Sequence, residues 1–189
     1  YQLPFATDAS APQTIAEARK LLGEALELDP ECHDARRMLS AAQAPTPNEY
    51  HRFLVEGAQE VLESCGRRRD AVTGSDELAD VARTLAMRPY LRWLAAECAS
   101  SLICGRYRLT LQEGEEALAV EPEDPADVSL TLALTYAKLE DEEGLRTLCE
   151  RADERRGPAW YALARAALAF KREDRDEARA HIARLLALY

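Results

Sequence analysis

Residues 89–125 read PYLRWLAAECASSLICGRYRLTLQEGEEALAVEPEDP, and this stretch decides the fold. Pro89 stands where a helix would open. An apolar run reaches Cys104, Gly105 interrupts it, and a second run from Arg106 to Val120 stops before Pro122. Proline is pre-organised for the first helical position, and glycine suits the left-handed close of a helix. The stretch therefore reads as helix, turn, helix. Pro125 and Pro158 open comparable units, Pro125 lying 36 residues after Pro89 and Pro158 lying 33 after Pro125. That spacing is close to the ~34-residue period of stacked two-helix repeats. Such units pile into a solenoid whose curved surface usually receives another macromolecule.

The same grammar extends in both directions. Asp124-Pro-Ala-Asp127 opens a helix to about Leu139, Asp141 caps its partner to about Ala152, Gly157-Pro158 opens the next, and Asp174 caps the last. Towards the N-terminus, Tyr1–Ser10 has no period and reads as a tail. Ser10-Ala-Pro-Gln13 and Thr46-Pro-Asn-Glu49 are capping boxes with proline just inside the helix. The first starts a helix with Ile15, Ala18, Leu21, Leu22, Ala25 and Leu28 in one apolar stripe, ended by Asp29-Pro30; a second helix covers about Cys32 to Gln43. The helix begun at Thr46 is closed by Gly66 and Arg67-Arg-Arg69, whose charges oppose the negative end of the helix dipole. Residues 67–75 read as a loop, and Ser75 as the cap of a short helix to Met87.

About ten helices in antiparallel neighbours follow, forming an all-α chain. The expected organisation is one continuous domain: a tail (1–10), N-terminal helices with a degenerate repeat (11–66), a loop and linking helix (67–87), and about three helix pairs (88–189). Sparse Val, Ile, Phe and Thr that never alternate agree with an absence of strands.

Composition narrows the function. The net charge of −10 repels nucleic-acid phosphate and offers no attraction to anionic lipid, while modestly favouring a basic partner. It also serves simply to keep the chain soluble. Cys32, Cys65, Cys98, Cys104 and Cys149 form no C-x-x-C pair and sit mostly in apolar stripes, as reduced thiols in a cytoplasmic protein do. No apolar run reaches the ~18 residues of a membrane span, and no secretory leader pattern is present. The chain opens on Tyr1 without methionine, as a fragment of a longer protein would. The preference for arginine over lysine fits a GC-rich bacterial genome.

The paired segments resemble tetratricopeptide repeats. The resemblance rests on Ala18, Leu22, Ala25 and Pro30 for a second helix, on Gly105-Arg-Tyr107 and Ala117 with Pro122, on Trp160, Leu163 and Ala164 for a first helix, and on Ala178 and Ile182 for its partner. Gly114 departs from the pattern, standing where that family has a bulky residue. The connection from Phe170 to Arg175 is about two residues too long for it, and residues 44–87 fit no repeat cleanly. From Arg88 to Tyr189 the chain is similar to the C-terminal half of bacterial tetratricopeptide proteins related to the suppression-of-tumorigenicity-seven family. The resemblance implies a right-handed solenoid that acts as a protein-interaction scaffold, with no catalytic residues and no cofactor.

Transferring the family's inner groove onto this chain points to Arg88, Arg92, Tyr136, Tyr161 and Arg165 as partner-binding residues. Arginine and tyrosine combine contact area with hydrogen bonding. The plainer account is that the tyrosines pack between repeats and the arginines are solvated. The subset of the family that grips chaperone carboxylate tails uses asparagine and lysine. Here only Asn48, Lys20, Lys138 and Lys171 occur, and they do not cluster in the required helices. The apolar end formed by Leu185, Leu186, Leu188 and Tyr189 has no polar capping helix after it, which invites self-association as a homodimer.

Other chemistry is poorly represented. His33, His51 and His181 are scattered, whereas a metal needs three or four converging ligands. The acidic runs at 113–116, 121–124 and 140–143 lack the alternating oxygen ligands of a calcium loop. No phosphate loop, zinc-protease or nucleophile-elbow motif appears. Two further classes stay open: an enzyme or regulatory subunit with a pocket between helices, and a nucleic-acid adaptor working through Arg67–Arg69.

Overall fold

The computed structural model describes residues 11–151 and 159–187, which form nine helices and no strand. They are α1 (Ala11–Leu28), α2 (His33–Gln43), α3 (Pro47–Asp70), α4 (Glu77–Ile103), α5 (Tyr107–Val120), α6 (Val128–Leu139), α7 (Glu142–Arg151), α8 (Ala159–Lys171) and α9 (Arg175–Leu186). Among these residues the helix count is nine and not ten. The segments read as ending at Met87 and starting at Pro89 are one helix, with Pro89 inside it.

That correction has a clear cause. An interior proline costs a helix a hydrogen bond and roughly 3 kcal/mol. Immediately beyond it, however, Tyr90, Leu91 and Trp93 are all buried, and Trp93 completely so. Burying three such side chains contributes several times ~1.5 kcal/mol, provided the helix continues without a turn. The Trp93 indole N–H also donates to the Leu54 carbonyl of α3 at 2.8 Å. Tertiary burial outweighs local geometry.

Gly66 likewise closes nothing. It lies within α3, which runs on to Asp70, and the Ala71 N–H caps back onto the Arg67 carbonyl. The cap of α4 is Asp76, not Ser75: its carboxylate accepts from the Ala79 N–H at 2.9 Å. Arg83 ties down the connection between α3 and α4 by donating to the Gly74 and Val72 carbonyls.

Other local readings hold. Thr46 caps α3, accepting from the Glu49 N–H at 3.2 Å while its hydroxyl donates to the Glu49 carboxylate at 3.1 Å, with Pro47 at the first helical position. Asp141 accepts from the Gly144 N–H at 2.8 Å, and Asp174 from the Glu177 N–H at 3.0 Å. Ser10 and Pro158 lie outside the described residues. Pro125 does not itself begin a helix; α6 starts at Val128.

Two compact units divide the chain, Tyr1–Trp93 and Leu94–Tyr189, with the boundary inside α4. In the first, α1 packs on α2 and α2 on α3. Its core includes Ala35, Leu54, Val61, Cys65 and Trp93.

In the second, α6 lies at the centre, packed against α5, α7 and α8, and α8 pairs with α9. Its core joins Cys98, Ala117, Val128, Leu132, Ala133, Ala137, Leu145, Leu148, Tyr161, Ala164 and Leu168. Gly114 is explained here: a Cβ on it would fall 2.8 Å from Leu132 Cγ, so the missing side chain lets α5 approach α6. Three of the helix-to-helix turns share one geometry. Gly105, Glu140 and Glu173 all have positive φ (75°, 61° and 65°). In each case the next residue's N–H reaches back five residues, to Ser101, Tyr136 and Ala169, at 2.9–3.0 Å.

Candidate functional site

Charge placement on the second unit singles out one concave surface. The face of α8 that carries Arg165, Leu168 and Ala169, continued by Arg172 just past its end, meets α7 at Glu142, Leu145 and Arg146 and α9 at Glu177 and His181, enclosing a cleft of about 220 Å³. The helical register explains the set. Arg165, Leu168, Ala169 and Arg172 stand at positions i, i+3, i+4 and i+7, which share one face.

Most charges in this cleft already have partners. Arg172 is ion-paired with Glu142 across α7 and α8. Arg146 pairs along its own helix with Glu143 and Glu150, which holds the Glu143 carboxyl below the usual range. His181 lies 3.5 Å from Glu177. Arg165 differs: it is half-buried, and among the described residues it has neither a hydrogen-bond nor an ion-pair partner.

The remaining residues expected to bind a partner are placed as follows. Arg88 and Arg92 belong to the first unit, where Arg88 is exposed and Arg92 donates to Asp34 at 2.6 Å. Tyr136 is half-buried over Gly144, where a Cβ would collide with its ring. Tyr161 is only 7% exposed and sits in the core of the second unit. Of the C-terminal apolar group, Leu185 is half-buried and Leu186 is 72% exposed, while Leu188 and Tyr189 lie outside the described residues.

Arg67, Arg68 and Arg69 are each engaged by a carboxylate: Arg67 with Glu31 at 2.6 Å, Arg68 with both oxygens of Asp29 at 3.0 Å, and Arg69 with Asp70 at 2.9 Å. The Arg68 hydrogen bond holds the Asp29 carboxyl below its ordinary range. Sequence periodicity had no means of showing that the turn between α1 and α2 would bring Asp29 and Glu31 to these arginines.

Titratable groups elsewhere are tuned by burial. In the second unit Glu97 is pushed up to about 7 by burial, with the Glu113 and Glu116 charges adding to the effect. The Cys98 thiol rises to about 12 for the same first reason and donates to the Thr110 carbonyl at 3.4 Å. A thiol held that high is inert as a nucleophile. All five cysteines are free. Among the described residues, no group of three or more His, Cys, Asp or Glu is placed to hold a metal ion, and no helix is long and apolar enough to cross a membrane.

No family model, no curated protein and no solved structure matches this chain.

Proposed function

We propose that this chain is a protein-interaction scaffold, a tetratricopeptide-like helical solenoid that captures an acidic segment of a partner at the cleft between α7, α8 and α9. The observation that carries the reading is Arg165. Arg165 is a half-buried residue with no ion-pair or hydrogen-bond partner among the described residues, although it lines the cleft, so its guanidinium is available to a ligand. A carboxylate entering the cleft supplies the missing partner, and the planar fork of arginine suits it bidentately. The neighbouring Arg146 and Arg172 are held by their own glutamates, so Arg165 is the group with most to gain.

The repeat reading is supported by the shared turn geometry at Gly105, Glu140 and Glu173. It is supported also by α6 packing both on α7 and on α8, the first helix of the following pair. In a stack of hairpins, first helices meet first helices in this way.

Two features favour a peptide over the competing classes. The cleft, at about 220 Å³, is smaller than the ~300–1,000 Å³ typical of sites that enclose a metabolite or cofactor, yet it admits a side-chain carboxylate. The basic cluster at Arg67–Arg69, the strongest sequence feature for a nucleic-acid adaptor, already faces acidic residues.

Fluorescence anisotropy with labelled peptides of leucine and glutamate tests the proposal. Binding should weaken steeply with salt, fall about tenfold or more in Arg165→Ala, and recover in part in Arg165→Lys. Equal affinity for the Arg165→Glu variant would overturn it.

A further inference from the structure

A second surface, on the other side of α9, has no role in the cleft. Phe170, Ala178, Ile182, Ala183 and Leu186 line an open trough of about 480 Å³, with Arg175 and Arg179 in its wall. Phe170 and Leu186 are 68% and 72% exposed. Arg175, Arg179, Ile182 and Leu186 stand at i, i+4, i+7 and i+11, so the trough presents one continuous helical stripe, basic at its start and apolar at its end.

The opposite combination occurs on α1. Ala18, Leu22 and Ala25 are half-buried on the helix that packs against α2. Leu21 and Leu28 are instead 56% and 89% exposed. They share their stripe with Glu17 and Glu24, again at i, i+4, i+7 and i+11 from residue 17 to residue 28. Glu17 and Arg175 have no ion-pair partner among the described residues. Among the described residues Glu24 pairs with Lys20, at 3.6 Å, and Arg179 with Asp176, at 3.0 Å, both on exposed surface where an ion pair is easily exchanged.

We infer that the α9 trough of one copy receives the outer face of α1 from a second copy. Leucines then fill the apolar trough while glutamates meet Arg175 and Arg179. Pairing α9 with α9 would bring together two faces bearing the same positive charge, whereas α1 supplies the complementary one. Because the two surfaces differ, each copy offers both halves of the contact, which either closes reciprocally in a dimer or passes from copy to copy in a ring or chain. This surface is separate from the Arg165 cleft, and its test is independent of peptide binding.

Sedimentation velocity over a concentration series reads the association. The average mass should climb above the monomer as concentration rises and fall back with added salt. Arg175→Glu with Arg179→Glu, and separately Glu17→Arg with Glu24→Arg, should each weaken association about tenfold or more. All four side chains are exposed, so circular dichroism should be unchanged. An equimolar mixture of the two variants should associate again, since the exchanged charges once more face their opposites. A mass that stays monomeric at every concentration overturns the inference. So does association untouched by the α1 changes or not regained on mixing.

Discussion

The ring of Trp93 lies against the backbone of Gly57, so close that a Cβ at position 57 would come 2.6 Å from its Cζ2. Phe53 tilts against the same ring at 5.3 Å between centroids, and the Arg36 guanidinium lies over both rings at 5.7 and 5.8 Å. Trp93 is fully buried and its indole is hydrogen-bonded, so it has no room to give way. Gly57→Ala should therefore lower stability by about 1–3 kcal/mol, overpacking outweighing the ~1 kcal/mol that alanine gains in helix propensity. At Gly66, in the same helix, an added Cβ would meet nothing within 4 Å. Gly66→Ala should instead stabilise by roughly 0.5–1 kcal/mol. Urea unfolding of the two variants checks the contrast, and a stabilising Gly57→Ala would show that the tryptophan can move aside.

The buried carboxylate of Asp124 carries the start of α6. It accepts from the Val128 N–H at 2.7 Å and the Ser129 N–H at 3.0 Å, and the residue itself holds a positive φ of 46°. Losing both bonds leaves two backbone donors unpaired at a helix start that sits in the core. Asp124→Ala should cost about 1–2 kcal/mol or more, and Asp124→Asn, which keeps one acceptor oxygen, distinctly less. Thermal unfolding of both variants decides it; equal losses would show that the charge, not the acceptor, matters.

Local chemistry is legible in the sequence, and tertiary overrides are not. Thr46, Asp141 and Asp174 are readable as caps because a cap depends on three or four consecutive residues. Pro89 misleads because the interaction that outweighs it, the burial of Trp93 against Gly57 and Leu54, joins residues 36 and 39 positions apart. Gly114 breaks the repeat pattern because Leu132, 18 residues further on, occupies the space a side chain would take. At the candidate site Arg165 is legible as a residue of the right type. Its distinction, being without a partner among the described residues while Arg146 and Arg172 have theirs, emerges only once α7 and α9 are folded around it.

Glu97 should make the protein less stable in alkali. Its folded-state pKa of about 7 lies above the ordinary 4.5, so the folded chain holds a proton that the unfolded chain has already released. The stabilising contribution is complete below about pH 4.5 and disappears as pH rises through 7. Because the carboxyl keeps part of its access to solvent, which screens it, the loss should amount to roughly 1–2 kcal/mol. Glu97→Gln, neutral throughout, should remove most of this slope and raise the melting temperature above pH 7. Glu113, raised chiefly by its own burial, leaves a residual slope of the same sign. Identical pH profiles for wild type and Glu97→Gln would rule the assignment out.

His33 should act in the opposite direction, on the acid side. Its imidazole is 3% exposed, and neither ring nitrogen has a hydrogen-bond partner among the described residues. Burial depresses its pKa, and the nearby Arg36 cation adds to the effect. A histidine whose folded pKa lies below the ordinary 6.5 contributes stability that is intact above that value and is lost as pH falls through the folded pKa. The chain should therefore weaken on acidification below about pH 6.5. His33→Leu, similar in volume and without polar atoms, should relieve the unpaired nitrogens and stabilise the protein by about 1 kcal/mol at pH 7. The gain should widen towards pH 5, where the wild-type imidazole is under pressure to take up a proton. Chemical unfolding of both proteins at pH 5 and 7 measures this, and a His33→Leu variant weaker than wild type at both would mean that the imidazole makes hydrogen bonds its surroundings do not reveal.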